Sequence, residues 1–228
     1  EGRAKATIDM ETTYAKAMIK VAFYNDKVSG RTLKTFNTVE RLLPFRGNTR
    51  DRKMSVKEYL SLVKVALPHL RDILIVAFNT GMRKGEILNL QWHNIDKITG
   101  FIRLSEKETK EKKKKSIPIN ANVKKVFDKI KKSPDHDHLF TYLGKPIDMG
   151  LRNSFKAACE AAGIKFGMKV EGGIRFHDIR GTVKTNMLSA GVDKTTRDAL
   201  LGHSLEGMDA IYIRVPDDDL RKAMDLYT

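Results

Sequence analysis

Apolar residues recur at helical spacing along most of this chain, and one short stretch departs from the pattern. The segment from Ile8 to Tyr24 shows the spacing first. The exception lies at 101–104 and 116–119, where two short apolar-rich runs flank a very polar turn and predict a β-hairpin. Helical spacing resumes after it. The pattern predicts a mainly α fold with a small antiparallel β-sheet (α+β).

Two regions of different composition divide the chain. Residues 1–50 hold ten Lys and Arg against five Asp and Glu, and a polar stretch from Asn25 to Lys53 contains Gly and Pro. Ser55 and Glu58 then form a capping-box pattern before an apolar run, which indicates the start of a larger domain. We expect a small helical domain and linker over 1–50 and a larger domain over 51–228.

The net charge of the chain limits the classes of molecule that it is expected to bind. It carries 43 Lys and Arg against 28 Asp and Glu, a formal net charge of +15. This favours polyanions, nucleic acid before acidic membrane, although a basic protein with an ordinary solvated surface has the same composition. The apolar runs are too short for a membrane-spanning helix. The single cysteine, Cys159, excludes an internal disulfide framework and favours a reducing compartment, and the first residue is not Met, which suggests a fragment.

Two clusters of polar residues in the first half of the larger domain are typical of phosphate chemistry. Arg83 follows Gly81 at a predicted helix start, with Glu86 three residues on, although a surface ion pair has the same spacing. In the turn of the hairpin, one lysine could act as an acid beside a phosphate while the others are solvated. The lysines of this turn are Lys107, Lys110 and Lys112–Lys115.

Two further clusters lie in the last quarter of the chain. His177 and Arg180 are three residues apart and share a helix face, as phosphate-binding groups or as a helix N-terminus with a salt bridge. His203 follows Gly202, which is typical of a helix end, and Tyr212 stands nine residues later. A histidine there is common in cores and caps, and a tyrosine between isoleucines is more often packed than reactive.

Taken in this order, the clusters resemble the signature of the tyrosine recombinase (phage integrase) family. The family's Thr-Gly-x-Arg-x-x-Glu box is matched by 80–86, and its His-x-Leu-Arg box by 177–180 with Ile179 in the apolar slot. Its Leu-Gly-His-Ser step is matched by 201–204. The family's nucleophile follows that histidine by nine residues, which selects Tyr212.

The resemblance also selects one hairpin lysine and sets the extent of the match. The family lysine precedes a proline by eight residues, so Pro118 selects Lys110, with several other lysines near it. Gly181 stands where the family often has a histidine, outside its catalytic set. The likeness covers 51–228 as a catalytic domain, and residues 5–35 resemble the last helices of a core-binding domain.

The resemblance implies that DNA is broken and rejoined without hydrolysis. Tyr212 would attack a phosphodiester, form a 3′-phosphotyrosyl link and free a 5′-hydroxyl. His177 would assist proton transfer from the tyrosine, and Lys110 would protonate the leaving oxygen.

The same resemblance assigns the phosphate-binding groups. Arg83 and Arg180 would stabilise the charge on the non-bridging oxygens, His203 would donate a further hydrogen bond, and Glu86 would brace its neighbours. With these groups the site requires no metal, ATP or other cofactor.

The implied partner is double-stranded DNA at the attachment sites of a mobile element or prophage, in the cytoplasm on the nucleoid. A homotetramer on paired sites is expected, with an accessory DNA-bending or directionality protein as a further partner. Two other functions fit: a type IB topoisomerase-like enzyme, and a DNA-binding regulator with an idle site. The spacing from His203 to Tyr212 and the core-binding remnant favour the recombinase.

A terminal helix is expected from Asp217 onward, with acidic residues in its first turn. It either packs on its own domain or docks on a neighbouring protomer. Tail exchange between protomers is implied by the resemblance, and it predicts that deletion of 217–228 impairs assembly on DNA more than folding.

Overall fold

The computed structural model describes residues 3–43, 51–147, 150–203 and 214–227. The chain separates into two compact units, Glu1–Asp51 and Arg52–Thr228. Most described residues are helical, and the strands form small antiparallel sheets, so the predicted fold class is confirmed.

The first unit contains two helices, α1 (Lys5–Tyr24) and α2 (Gly30–Asn37). The carboxylate of Asp9 is buried and accepts hydrogen bonds from the backbone N–H groups of Leu42 (2.6 Å) and Leu43 (3.1 Å). The helix α2 lies within the stretch that its polar composition suggested as a linker. Its N-cap, Ser29, accepts a hydrogen bond from the Thr32 N–H, which gives this polar segment a defined start.

The helices of the second unit surround a continuous apolar core. The central helix α4 packs against α3, α5, α6, α7 and α8. The capping box of Ser55 and Glu58 is present at the start of α3, as predicted. These helices are α3 (Val56–Val65), α4 (Pro68–Thr80), α5 (Lys84–Leu88), α6 (Ala121–Lys129), α7 (Leu151–Ala161), α8 (Phe176–Ser189), α9 (Lys194–Leu201) and α10 (Asp217–Tyr227).

The predicted hairpin forms the main sheet. Strands β2 (Phe101–Leu104) and β3 (Lys115–Pro118) are antiparallel, with Phe101 opposite Pro118 and Leu104 opposite Lys115. A two-residue strand, β1 (Ile95–Asp96), completes the order β1-β2-β3. A second small hairpin joins β4 (Thr141–Tyr142) to β5 (Lys145–Pro146). Sequence reasoning predicted neither β1 nor this second hairpin.

The terminal helix α10 packs on its own domain. Leu220, Ala223 and Met224 are buried, and the helix contacts β3, α8 and α9. At its start, Asp217 accepts a hydrogen bond from Arg103 Nη1 at 3.0 Å. Because these side chains belong to the core, deletion of the helix is expected to remove core packing, and its effect on assembly stays a prediction. Among the described helices, none is long and apolar enough to cross a membrane.

Candidate active site

A left-handed glycine sets the position of Arg83. Gly81 ends α4 with a φ of 63°, a conformation that side chains disfavour. A Cβ there would lie 2.6 Å from Leu201 Cδ2 and 2.8 Å from Val183 Cγ1, so α8 and α9 approach this turn too closely for any other residue. The turn places Arg83 directly before α5, with its side chain only 19% exposed.

The Glu86 carboxylate connects Arg83 to a lysine in β3. Its Oε1 accepts a hydrogen bond from Arg83 Nη1 at 2.9 Å, and its Oε2 accepts one from the Arg83 backbone N–H at 3.0 Å. The same Oε2 accepts a third from Lys115 Nζ at 2.8 Å. Burial acts to raise the pKa of Glu86, but the Lys115 charge and these hydrogen bonds outweigh it, so the pKa lies below its usual value.

Lys115 is an almost fully buried cation, with a side chain only 1% exposed. Burial lowers its pKa to about 8. The positive charges of Arg180 and Arg83 act in the same direction, and the ion pair with Glu86 opposes them. Its aliphatic chain lies beside the end of α9, because a Cβ on Gly202 would be 3.1 Å from Lys115 Cδ.

Sequence reasoning did not separate Lys115 from the other lysines of the hairpin. A signal was available in the strand pattern. Side chains two residues apart on a strand point to the same face, and Ile117 is an apolar strand residue that the structure buries completely. Lys115 shares that face and is therefore directed into the domain.

Arg180 links two turns of the site. Its Nη1 donates to the carbonyl oxygen of Gly81 at 2.7 Å, and its Nη2 donates to that of Leu201. A guanidinium has five N–H groups, and two of them are used in these contacts with the described part of the chain. Burial, followed by the charge of Arg83, lowers the pKa of Arg180 to about 10, which still leaves it charged at neutral pH.

His203 lies directly after α9, where a carboxylate orients its ring. Its backbone N–H donates to the carbonyl oxygen of Asp198 at 2.8 Å, and its Nδ1 is 3.2 Å from Asp198 Oδ1. Burial lowers the pKa of His203. The hydrogen bond that the His203 ring donates to the Asp198 carboxylate opposes this shift, whereas the charges of Arg180 and Lys184 add to it.

His177 lies in the first turn of α8, one turn before Arg180, and is exposed. Its pKa is lowered by partial desolvation and by the charges of Arg180 and Arg175, against the opposing charge of Asp178. The positive charges of the site arginines therefore act on His177 and favour its neutral form.

Five of the predicted residues converge. A Cβ on Gly202 would lie 3.8 Å from Arg83 Nη1, which places the turn before His203 beside the first arginine. A cleft of about 240 Å³ opens here, and its lining includes Lys115 and His203. The converging residues are Arg83, Glu86, His177, Arg180 and His203.

The two remaining predicted site residues are Lys110 and Tyr212. Lys110 is exposed at the tip of the hairpin, and its role stays a prediction. Tyr212, like Ser204 of the motif that precedes it, lies outside the described residues. In the described ranges, no group of three or more His, Cys, Asp or Glu side chains has the geometry to hold a metal ion.

Comparisons with known proteins agree on one family. The model of the phage integrase family matches residues 52–218. Tyrosine recombinase XerD of Staphylococcus aureus (strain Mu50) is 25% identical over 181 residues, which cover 75% of this chain and 59% of XerD. Tyrosine recombinase XerA of Pyrococcus horikoshii is 24% identical, over 99% of this chain and 88% of XerA.

Solved structures show the same fold. A lambda integrase dimer bound to a COC′ core site superimposes with a TM-score of 0.68 at 19% identity, over 93% of this chain and 62% of the other. A lambda integrase tetramer bound to a Holliday junction gives 0.67 at 18% identity, over 93% and 61%. This chain therefore spans less than two thirds of the length of several of the proteins that it matches.

Proposed function

Because this chain belongs to the phage integrase family, we propose that it is a site-specific DNA recombinase that cleaves and rejoins DNA through a 3′-phosphotyrosyl intermediate. One observation carries the proposal. The side chains of Arg83 and Arg180 and the turn before His203 come together beside one cleft, although up to 120 residues separate them in the sequence.

This arrangement suits the charge that develops during phosphoryl transfer. The transition state gathers negative charge on the non-bridging oxygens, and guanidinium groups donate paired hydrogen bonds to such oxygens. Arg180 is fixed by two backbone carbonyls, and its guanidinium has further N–H groups that can donate to the phosphate. Loss of one preorganised donor of this kind costs about 10²–10³ in rate.

The proton transfers are assigned to three side chains. Tyr212 attacks the phosphorus, its oxygen forms the new P–O bond, and the bond to the 5′-oxygen breaks. The lowered pKa of His177 favours its neutral form, and His177 accepts the tyrosine proton. Lys110 gives a proton to the leaving 5′-oxygen. A second 5′-hydroxyl then attacks the phosphotyrosine, so the phosphoester energy is kept and no ATP is consumed.

Glu86 and Lys115 are positioning residues in this proposal. Glu86 holds the Arg83 guanidinium through Oε1 and the Arg83 backbone through Oε2. Lys115 neutralises that carboxylate inside the domain. Together they fix the first arginine to the base of the hairpin that carries Lys110.

The proposed partner is double-stranded DNA at the attachment sites of a mobile element. The net charge of +15 supports binding through phosphate contacts, which gives an affinity that falls with salt. Assembly as a homotetramer on paired sites is part of the proposal, and the likeness to the lambda integrase tetramer bound to a Holliday junction supports it. Exchange of α10 between protomers is part of this proposal, and it requires that the helix leave its own domain.

A covalent-trap assay tests the proposal. Nicked duplexes drawn from the DNA that flanks the gene would be incubated with the wild type and with Tyr212→Phe, and separated on denaturing gels. An adduct in the wild type alone supports the tyrosine chemistry. Sequencing of the trapped DNA then separates a recombinase, which reacts at one site, from a type IB topoisomerase-like enzyme, which reacts at many. Salt-sensitive binding without an adduct supports the DNA-binding regulator.

A further inference from the structure

The hairpin places a carboxylate on the first site arginine. Arg83 Nη2 donates a hydrogen bond to Glu111, and their side chains are only 19% and 21% exposed. Glu111 is the one acidic residue in the run 110–115, whose other members are all lysine. A carboxylate in the middle of a lysine run weakens the attraction of that run for DNA. The contact of this carboxylate with Arg83 indicates that Glu111 has a role in the site.

The carboxylate is held incompletely. Its second oxygen, Oε2, is buried and has no hydrogen-bond partner among the residues that the structure describes. The charge of Glu111 also acts on Arg180, where it favours the charged form. The negative charge of Glu111 therefore acts on both arginines, and its hydrogen bond is to Arg83. A buried acceptor without a partner makes this contact easier to displace.

The backbone of the hairpin tip turns Glu111 inward. Lys112 adopts a left-handed conformation with a φ of 52°, which is uncommon for a side-chain-bearing residue. Thr109 closes the turn, because its Oγ1 donates to the Lys113 carbonyl oxygen at 2.7 Å and accepts from the Lys113 N–H at 3.1 Å. In this conformation Lys110 remains exposed while its neighbour reaches Arg83.

We propose that Glu111 is an internal stand-in for the DNA phosphate, which occupies Arg83 in the free protein and is displaced when a phosphate binds. This inference rests on the proposed function, because it takes Arg83 as a phosphate ligand. A phosphodiester has one negative charge and two non-bridging oxygens, as a carboxylate does, and it can engage both arginines at once. Its arrival releases the tip and frees the adjacent Lys110 to move toward the leaving oxygen.

The contact between Glu111 and Arg83 also lowers the apparent affinity of the site for an anion. An anion must compete with Glu111, so the apparent affinity is reduced by the fraction of molecules in which Arg83 is open. A hydrogen bond to a charged group contributes enough for removal of Glu111 to tighten anion binding by about tenfold.

The test compares Glu111→Gln with Glu106→Gln, which removes the same charge from an exposed position of the same hairpin. Inorganic phosphate is titrated into each full chain by calorimetry at constant ionic strength. We expect E111Q to bind phosphate about tenfold more tightly than the wild type, and E106Q to match the wild type. Phosphate should also accelerate hydrogen exchange of the hairpin-tip amides in the wild type, whereas E111Q exchanges quickly without it.

The outcomes separate this inference from the proposed function. Equal phosphate affinities and equal tip exchange in E111Q and E106Q overturn the role of Glu111, whatever the trap assay shows. If the gain in E111Q survives an added Arg83→Gln substitution, the phosphate does not bind at Arg83 and the inference is also wrong. If that substitution abolishes the gain but Tyr212 forms no adduct with DNA, Glu111 keeps its role and the recombinase proposal fails.

Discussion

Replacement of Lys115 by methionine should remove a pH dependence of stability that this buried lysine imposes. The folded state holds its pKa at about 8, below the value of 10.5 for an unperturbed lysine. Between these values the unfolded chain binds the proton more tightly, so stability rises with pH. At 1.36 kcal/mol for each pKa unit, the lysine adds about 2 kcal/mol to the unfolding free energy of the wild type between about pH 8 and about pH 10.

Lys115→Met also lowers the unfolding free energy by an amount that does not change over this pH range. Lys115→Met leaves the buried Glu86 carboxylate with Arg83 as its remaining partner, and breaking a buried ion pair in this way costs about 3–5 kcal/mol. The Arg83 side chain and backbone N–H still donate to the Glu86 carboxylate in the variant, so we expect its charge to stay constant above pH 8. The unfolding free energy of the wild type minus that of the variant should therefore be positive at about pH 8 and increase as the pH rises.

The measurement is urea unfolding at several pH values, followed by far-UV circular dichroism. Lys114→Met is the matched control, because it removes the neighbouring lysine from an exposed position. Other lysines and tyrosines titrate in this range, but they do so in all three proteins and cancel in the differences. A flat difference between the wild type and K115M would refute the reasoning, since it would mean that Lys115 keeps an ordinary pKa in the folded protein.

Three further results are expected. Gly81→Ala should lower the unfolding free energy by about 2–5 kcal/mol because of its left-handed φ and the 2.6 Å approach of Leu201, whereas Gly85→Ala, with no atom within 4 Å, should be tolerated. Asp198→Asn should lower the pKa of His203 further, seen by NMR titration of the ring, because the negative charge that supports its protonated form is removed. Deletion of 217–228 should lower Tm, since burial of Leu220 and Met224 contributes about 3–6 kcal/mol, and an unchanged Tm would show that α10 is dispensable for folding.

The helical parts of the site were predictable because their spacing fixes their geometry. Residues three apart on a helix share a face, so Glu86 was expected to brace Arg83, and the structure joins them by a hydrogen bond of 2.9 Å. Gly81 was expected to end α4, and its left-handed φ does so. These relations depend on neighbours in the sequence, and no long-range packing is needed to infer them.

Four short elements were not predicted because their sequences carry little local pattern of apolar residues. Strands β1, β4 and β5 have two residues each, so no alternation can be recognised in them. The helix α2 has no fully buried residue, and its polar composition is typical of a linker as much as of a helix. In both cases the structure depends on partners elsewhere in the chain or on a single cap, which a count of apolar residues does not detect.

The lysine-rich hairpin shows how one segment can carry two separate functions. Five of the six residues 110–115 are lysines, so composition cannot rank them. Strand alternation directs Lys115 inward, where it pairs with Glu86 and fixes the base of the hairpin to Arg83. The tip lies beyond the paired strands, so the exchange of Glu111 for a phosphate that we propose would leave that base undisturbed. In the proposed mechanism the proton donor for the leaving oxygen approaches after the phosphate is bound, and we assign this role to Lys110 at the exposed tip because Lys115 is buried and held in an ion pair.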